Sequence, residues 1–260
     1  MQATITGATG LVGSNLAILL IGAGWRVRCT RRAGSPRLVH CSSVVACGLR
    51  GDGLPSDEEV PWNFPEFGLA DSYSITKHQA QVLVQDAAAA GDVDAVIVNP
   101  TYMLGPYDPR PSSGRLILNV VRRTLPFTSS GYNNFVDVRD VCRGMIAALE
   151  RGRRGECYIL GNENLTYQEI MQRIAAVAGT KPPGILLPSA LAKVPGWIGD
   201  VQQRLFGREV LLNSIIVRYA YTRAYQFSSE KAQRELGYRP GSIEPAIRDA
   251  IAWFKGRGML

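Results

Sequence analysis

The sequence holds few of the residues that metal and disulfide sites require. It has only two histidines, His40 and His78, and its five cysteines form no CxxC pair. A site with several histidine ligands is therefore not expected, and we predict no metal. An odd number of irregularly spaced cysteines does not suit a disulfide framework and is typical of a reducing compartment, so we expect a cytoplasmic protein.

Long apolar runs and long charged runs are also missing. The apolar stretch from Leu16 to Gly24 is too short to cross a bilayer, so no integral membrane segment is expected. The net charge is +7, yet the basic residues are scattered apart from short pairs. Nucleic acid is therefore not an expected partner. A basic balance also suits an anionic membrane face or an anionic ligand. We predict a small-molecule substrate, and a homodimer is left open.

Short apolar strands alternate with helical stretches in the first part of the chain. Val93 to Val98 has the pattern of a buried strand, and Ser72 to Ala90 that of a long helix. This alternation predicts an α/β fold with a doubly wound parallel sheet covered on both faces. From Gly161 onward the chain is mostly helical and punctuated by proline. We therefore expect a sheet domain over residues 1–160 and a small appended lobe over residues 161–260.

The lobe contains two apolar stretches, Ile185 to Ile198 and Val210 to Val217. They suit an ordinary lobe core, a surface for an apolar substrate, or a membrane contact. The sequence alone favours the first of these.

A glycine-rich turn lies near the start, between a short strand and a predicted helix. Gly7, Gly10 and Gly13 would let backbone amides approach a pyrophosphate, and the helix N-terminus would add a favourable dipole. The pattern indicates a dinucleotide site because it stands in the strand–turn–helix context that the mechanism requires. The predicted contacts of this turn also include Thr9, Leu11 and Val12.

Further candidate groups stand on the long helix and at two strand ends. Tyr73 and Lys77 are four residues apart on the helix, so they share a face, and the ammonium would stabilise the tyrosinate form. Ser43 follows a predicted strand, and Pro100-Thr101 follow another. Ligands of open α/β sheets bind beyond the carboxyl ends of strands.

The motifs occur in an order that resembles a known family. They read TGATGLVG, LVHCSSVVACG, the Tyr73/Lys77 pair, VNPTYMLGP, NFVDVRDV and FSSEKAQRELGYRP. Together they resemble the extended short-chain dehydrogenase/reductases, which include the NAD-dependent epimerases and dehydratases. Within that group the chain is most similar to the dihydroflavonol-4-reductase-like branch.

The resemblance implies a Rossmann-like, NAD(P)-binding domain, a substrate-binding lobe and a role for each catalytic candidate. Tyr73 would be the general acid/base, and Lys77 would bind the nicotinamide ribose and tune Tyr73. Ser43 would hydrogen-bond the reacting oxygen, because it stands five residues before Gly48; its neighbour Ser42 would not. The backbone after Pro100 would face the nicotinamide carboxamide. The implied activity is NAD(P)-dependent oxidoreduction of a carbonyl or hydroxyl carbon.

The charged residues that follow the glycine turn indicate the preferred cofactor independently of the resemblance. NAD sites usually place an acidic residue on the ribose about 20 residues past the glycines, but the first acidic residue of this chain is Asp52. Arg31 and Arg32 follow the second predicted strand instead, and arginine there suits a 2′-phosphate. We therefore expect NADPH in preference to NADH.

The residues after Ser43 help to distinguish a reductase from a dehydratase or an epimerase. Family dehydratases carry acidic residues there, whereas this chain has Val44 and Val45. Many epimerases carry a tyrosine slightly later, where this chain has Ala46 and Cys47. A plain reductase is favoured; the alternatives are an epimerase of nucleotide-linked sugars and a nucleotide-binding protein that has lost catalysis.

The loop Arg31 to Pro36 is too short for the connection it makes. A parallel crossover with its helix needs about a dozen residues, and six are present. Compared with the family, an internal segment of two strand–helix units is missing here, roughly 60 residues. The sheet should then either close up, with Leu38 to Cys41 beside Thr4 to Thr6, or keep a gap that weakens cofactor binding.

Overall fold

The structure is a computed structural model that describes residues 1–5, 7, 10–29, 37–194, 197 and 213–260. Its strands are β1 (Gln2–Ile5), β2 (Arg26–Cys29), β3 (Leu38–Cys41), β4 (Ala95–Pro100), β5 (Tyr102–Leu104), β6 (Phe127–Thr128), β7 (Tyr132–Asp137), β8 (Cys157–Leu160), β9 (Glu163–Thr166) and β10 (Ile185–Leu186). Its helices are α1 (Leu11–Gly22), α2 (Ser72–Ala90), α3 (Arg115–Val121), α4 (Val138–Arg151), α5 (Tyr167–Ala178), α6 (189–194), α7 (Ser214–Tyr221), α8 (Glu230–Leu236) and α9 (Glu244–Gly256).

A three-stranded parallel sheet in the order β3-β4-β8 lies at the centre of the first part of the chain. Every residue of β4 is buried, as its unbroken apolar run predicts for a strand covered on both faces. Helix α4 packs against this sheet through Val141, Met145 and Ala148, which share one apolar cluster with Val96 and Val98. The predicted α/β class with parallel strands is confirmed.

Strands β1 and β2 form a separate parallel pair. Within the described residues no ladder joins β1 to β3, so of the two predicted outcomes the structure has the gap and not the closed sheet. Helix α1 explains why. Its Val12 and Leu16 pack on the apolar cluster beneath β4, and this contact seats the β1–α1–β2 unit without bringing β1 to β3.

Helix α2 has the bounds that the sequence predicts, and both of its ends are well defined. Asp71 accepts a hydrogen bond from Ser74 N (2.7 Å), and the Ser74 hydroxyl accepts one from Asp71 N (2.9 Å). This capping box fixes the first turn. Gly91 ends the helix in the left-handed conformation (φ 93°) that glycine adopts without steric cost.

The rest of the chain packs around a sheet in the order β5-β7-β9. Helices α3, α5 and α9 share a second apolar cluster with Phe135 and Leu104 of this sheet. The antiparallel pairing of β7 with β9 joins residues on both sides of Gly161. The division into residues 1–160 and 161–260 stays a prediction. Over the described ranges, no helix is long and apolar enough to cross a bilayer.

Candidate functional site

Three parallel strands end together at one edge of the central sheet. Cys41 of β3 pairs with Val98 of β4, and Pro100 of β4 pairs with Leu160 of β8. The segments that follow these strands therefore begin side by side, as is typical of ligand sites in open α/β sheets.

Helix α2 brings Tyr73 and Lys77 to this edge. The Lys77 ammonium donates a hydrogen bond to the Cys41 carbonyl (3.3 Å), two residues before Ser43. Tyr73 lies one helical turn earlier on the same face of α2. Its side chain is 55% exposed, an unusual position for a large aromatic ring and one from which the phenol can reach a ligand. The structure therefore groups Ser43, Tyr73 and Lys77 on adjoining elements.

A buried amide locks this arrangement in place. Asn99 is fully buried at the end of β4, and its amide group donates to the Ser43 carbonyl (2.9 Å) and to the Gln81 side-chain oxygen (2.6 Å). Gln81 follows Lys77 by one helical turn on α2. Asn99 thus ties the end of β3, the end of β4 and helix α2 to one another.

The two serines differ in their surroundings. The Ser43 hydroxyl accepts a weak hydrogen bond from Val45 N (3.4 Å) and caps a single 3-10 turn, Val44–Ala46. Because a hydroxyl also carries a proton, Ser43 keeps a donor for a ligand. The Ser42 hydroxyl is buried and has no hydrogen-bond partner in the part of the chain that the structure describes.

The residues after β4 line the same edge. Pro100 is buried, and Thr101 N donates to the Leu160 carbonyl (3.3 Å). The Thr101 hydroxyl is also buried and lacks a partner among the described residues. A buried polar group without a hydrogen-bond partner lowers the stability of the folded protein. A ligand bound at this edge would offer the Thr101 hydroxyl such a partner.

The glycine turn has the form that a pyrophosphate site needs. Gly7 adopts φ 70°, a conformation that residues with a side chain rarely adopt, and the position of its missing Cβ faces open space. Ser14 N donates to the Gly10 carbonyl (2.9 Å), so the amides of residues 11–13 precede the first helical bond and point out of the helix N-terminus. The turn and this N-terminus fit the phosphates of a dinucleotide.

Two contacts position the glycine turn relative to the rest of the molecule. The buried Asn15 side chain donates to the Pro106 carbonyl (2.9 Å), just after β5. The Cys142 thiol on α4 donates to the Val12 carbonyl (3.5 Å). The cofactor candidates Gly7, Gly10, Leu11, Val12 and Gly13 therefore lie on the β1–α1–β2 unit, and the catalytic candidates lie on α2 and in the turn after β3. Thr9, Arg31 and Arg32 fall outside the described residues.

Burial is the main cause of the pKa shifts of the titratable groups beside Lys77. Desolvation lowers the pKa of His40, and the positive charge of Lys77 lowers it further. Burial raises the pKa of the Cys41 thiol, although Lys77 opposes this. Both shifts favour the uncharged form of the group. The described residues include no group of three or more His, Cys, Asp or Glu side chains that could hold a metal ion.

The sequence analysis missed two polar residues that build the site, and it missed the partners of a third, Asn99. Asn15 and Gln81 are ordinary polar residues within predicted helices, and nothing in their local pattern marks them as buried. Gln81 nevertheless stands four residues after Lys77, and that spacing was the one available signal. Asn99 was visible as a polar residue at a strand end, but its two partners lie 18 and 56 residues away.

The fold and the site define a nicotinamide-dinucleotide-binding protein with a tyrosine–lysine pair. The family model described as NAD dependent epimerase/dehydratase family matches residues 27–161, about half of the chain. The chain belongs to this family, whose members are NAD-dependent reductases, dehydratases and epimerases. The family predicted from the sequence motifs is thereby confirmed.

Two curated relatives support this assignment. A protein of Synechocystis sp. named after dihydroflavonol 4-reductase is 34% identical over 237 residues, which are 89% of this chain and 68% of the relative. Sterol demethylase protein B of Methylococcus capsulatus is 31% identical over 243 residues, or 93% of this chain and 73% of the relative.

Solved structures share the fold over nearly their full lengths. The crystal structure of gox2253 has a TM-score of 0.83 at 27% identity, covering 100% of this chain and 99% of that one. dTDP-glucose 4,6-dehydratase of Bacillus anthracis in complex with NAD has a TM-score of 0.74 at 15% identity, with both chains fully covered. RMD of Pseudomonas aeruginosa with NADPH has a TM-score of 0.71 at 14% identity, covering 98% of this chain and 99% of that one. The last two show the Rossmann fold alone.

Proposed function

We propose that the protein is an NADPH-dependent carbonyl reductase, or an alcohol dehydrogenase in the reverse direction, that acts on a small organic substrate. The observation that carries this proposal is the contact between the Lys77 ammonium and the Cys41 carbonyl (3.3 Å). It holds Lys77 beside Ser43, while Tyr73 lies one turn earlier on the same helix face. A proton donor, a cation and a hydroxyl donor are what reduction of a carbonyl group requires.

Each of the three groups has one task in the reductive direction. Tyr73 donates its phenolic proton to the substrate oxygen, and the Lys77 ammonium stabilises the tyrosinate that remains. Ser43 donates a hydrogen bond to the same oxygen and polarises the carbonyl bond. A bound reduced nicotinamide supplies the hydride.

The surroundings of Ser43 favour a plain reductase over a dehydratase. Val44 and Val45 follow it, are buried, and belong to an apolar cluster with Cys47 and Phe64. No carboxylate follows Ser43 where an elimination would need one. Cys47 is buried as well, and burial raises the pKa of its thiol well above the usual value, so it is no proton donor for an epimerase.

The charges after β2 support NADPH as the preferred cofactor. The chain carries no acidic residue before Asp52, and Arg31 and Arg32 come two and three residues after the end of β2 in the sequence. We propose that these arginines bind the 2′-phosphate. A charge-assisted hydrogen bond contributes about 1.5–3 kcal/mol, roughly one to two decades of affinity. Replacing both arginines with glutamine should therefore weaken NADPH far more than NADH, and equal losses would contradict the assignment.

The decisive experiment combines a binding titration with a substrate panel. Purified protein is titrated with NADPH and NADH by nucleotide fluorescence, and NADPH oxidation is then followed with small and apolar ketones. Turnover of a ketone with NADPH preferred is expected. Interconversion of UDP-sugars without net NADPH oxidation would identify an epimerase, and the absence of nucleotide binding would identify an interaction protein. Either result would overturn the proposal.

A further inference from the structure

A group of large apolar side chains lies on the surface of the C-terminal part. Ile185 and Leu186 of β10 are 56% and 48% exposed, and Phe127 of the paired strand β6 is 44% exposed. Leu191 and Val194, three residues apart on α6, are 61% and 59% exposed. Trp197 is 65% exposed as well. The favoured expectation that this stretch forms an ordinary lobe core is therefore wrong for these residues. We call these six side chains the apolar face.

Backbone hydrogen bonds join the segments that carry five of these six side chains, from Phe127 to Val194. Ile185 is the register partner of Phe127 in the parallel pair formed by β10 and β6. Leu187 N donates to the Thr128 carbonyl (3.0 Å), and α6 begins directly after this strand, with Leu191 N bonded to the Pro188 carbonyl (3.0 Å). A patch of this kind on a soluble domain marks a surface that contacts another apolar phase or molecule.

Acidic residues are sparse in the chain segments that carry the apolar face; between Trp197 and α7 the sequence has Asp200 and Glu209 alone. Residues 109–136, 170–199 and 210–229 lack both aspartate and glutamate. Nine basic residues lie in their described parts: Arg110, Arg115, Arg122, Arg123, Arg173, Lys181, Lys193, Arg218 and Arg223. Among the described residues, only Arg173 of these nine forms an ion pair, with Glu163 and Glu244.

Several of the cations stand close to the apolar face in the chain. Lys193 lies between Leu191 and Val194, and Lys181 precedes Ile185 by four residues. Arg122 and Arg123 lead into β6, and Arg122 also borders a cavity of about 490 Å³ that Arg110 and Arg115 share. No carboxylate side chain lines that cavity. Uncompensated positive charge beside exposed apolar groups is the pattern of helices and loops that bind anionic membrane surfaces.

We propose that the apolar face docks on the surface of an anionic lipid bilayer, with Leu191, Val194 and Trp197 entering the headgroup boundary and the lysines and arginines contacting lipid phosphates. A second copy of this chain is a poorer occupant, because two such surfaces would bring like charges together. Amphipathic Trp and snorkelling Lys side chains suit the boundary between headgroups and acyl chains.

The docked surface connects to the candidate active site through two hydrogen bonds. The Tyr221 hydroxyl at the end of α7 donates to the Leu187 carbonyl beside the apolar face (2.7 Å). The Tyr219 hydroxyl on the same helix donates to the Leu69 carbonyl (3.0 Å), just before the helix that carries Tyr73. Helix α7 therefore links the docked surface to the segment that precedes the helix of Tyr73.

Vesicle flotation of the full chain tests the docking directly and does not depend on enzymatic activity. The protein is mixed with vesicles of phosphatidylcholine alone or of phosphatidylcholine with phosphatidylglycerol. Binding is expected with the anionic vesicles and should weaken in high salt. A K181Q/K193Q variant should bind about thirtyfold less tightly, since each surface cation contributes roughly fivefold. An L191Q/W197Q variant should lose binding at least tenfold.

Matched controls separate docking from general loss of apolar or positive surface. Leu83→Gln removes a side chain that is 70% exposed on α2, and Arg239→Gln removes an exposed cation between α8 and α9. Both should bind as the unchanged protein does, and circular dichroism of every variant checks folding. Failure of the unchanged protein to float with anionic vesicles would overturn the proposal. So would equal binding by all variants, or a concentration-dependent dimer that the L191Q/W197Q pair dissolves.

Discussion

At the scale of single residues, we predict that Tyr73 and Lys77 carry the chemistry and that their substitutions have different effects. Tyr73→Phe keeps the ring but removes the proton, so kcat should fall roughly a hundredfold or more while nucleotide affinity is nearly unchanged. Lys77→Met should weaken both, because the ammonium serves the ribose as well as Tyr73. Steady-state kinetics and nucleotide titration check the pair. Tyr107→Phe, at another exposed tyrosine, is the control, and more than a tenth of the activity retained in Tyr73→Phe would refute the role.

Asn99 is a positioning residue, since it acts through the Ser43 carbonyl and Gln81. Asn99→Ala leaves both oxygens without their buried donor, at a cost of about 1–3 kcal/mol. Asn99→Asp should be worse, because a carboxylate cannot donate to two acceptors. We expect a lower kcat with little change in KM, together with a lower melting temperature. Gln79→Ala, an exposed change on the same helix, should alter neither. A drop in melting temperature with unchanged kcat would reduce Asn99 to a purely structural role.

Glu58 should make stability depend on pH. Burial raises the pKa of its carboxyl, while that carboxyl accepts a hydrogen bond from Ile159 N (2.7 Å). The folded state then binds this proton more tightly than the unfolded chain does. Protonated Glu58 therefore contributes stability below the pKa of its carboxyl in the unfolded chain, about 4.3. This contribution is lost as pH rises through the pKa of the carboxyl in the folded state.

Glu58→Gln keeps an acceptor for Ile159 N and cannot ionise. The variant should gain stability relative to the unchanged protein as pH rises from the acidic range to neutrality. Urea unfolding at a series of pH values measures this, with the exposed Glu59→Gln as the control. A constant difference across that range would contradict the assignment.

At the scale of secondary-structure elements, prediction from sequence succeeded where local signals are strong. The bounds of α2 and α5 follow from their caps, Asp71 and Thr166 at the start and glycine at the end. Strands β5, β6, β9 and β10 have two to four residues, and such short strands form only because a neighbouring strand is in place. Helix α3 has a buried, almost unbroken apolar run, which has no helical period to read. The same holds for the site. The motif residues can be recognised in the sequence, whereas the roles of Asn15 and Gln81 depend on partners that are distant in the sequence.

The open edge of β3 should be measurable amide by amide. Leu38 N and Ser42 N donate to β4 and its flanking residue Asp94, so by the alternation of parallel strands the amides of Val39 and Cys41 point away from β4. Those two amides should exchange with solvent deuterium at least tenfold faster than the amide of His40. Equal protection of all three would mean that another segment covers the edge of β3.

At the scale of the whole molecule, the short connection from Cys29 to Arg37 limits the nucleotide site. A chimera that carries two strand–helix units of a Rossmann domain between these residues would supply the missing segment, roughly 60 residues. It should bind NADPH at least tenfold more tightly and melt at a higher temperature than the unchanged chain. A chimera of equal length with a flexible glycine–serine linker is the control. Equal affinity in all three proteins would show that the present connection already forms a complete site.

The β1–α1–β2 unit contacts the rest of the molecule through α1 and is linked to it by the chain, so it resembles a binding partner that cannot diffuse away. A detached form of this unit would return to α4 and Pro106 at an effective concentration that the rest of the chain supplies. A dinucleotide that contacts both the glycine turn and Lys77 would bind the docked form alone, so each binding event also favours docking, by the same free energy. The cofactor would then hold the β1–α1–β2 unit against the part of the molecule that carries Lys77. Its removal would release the first 29 residues before the central sheet unfolds.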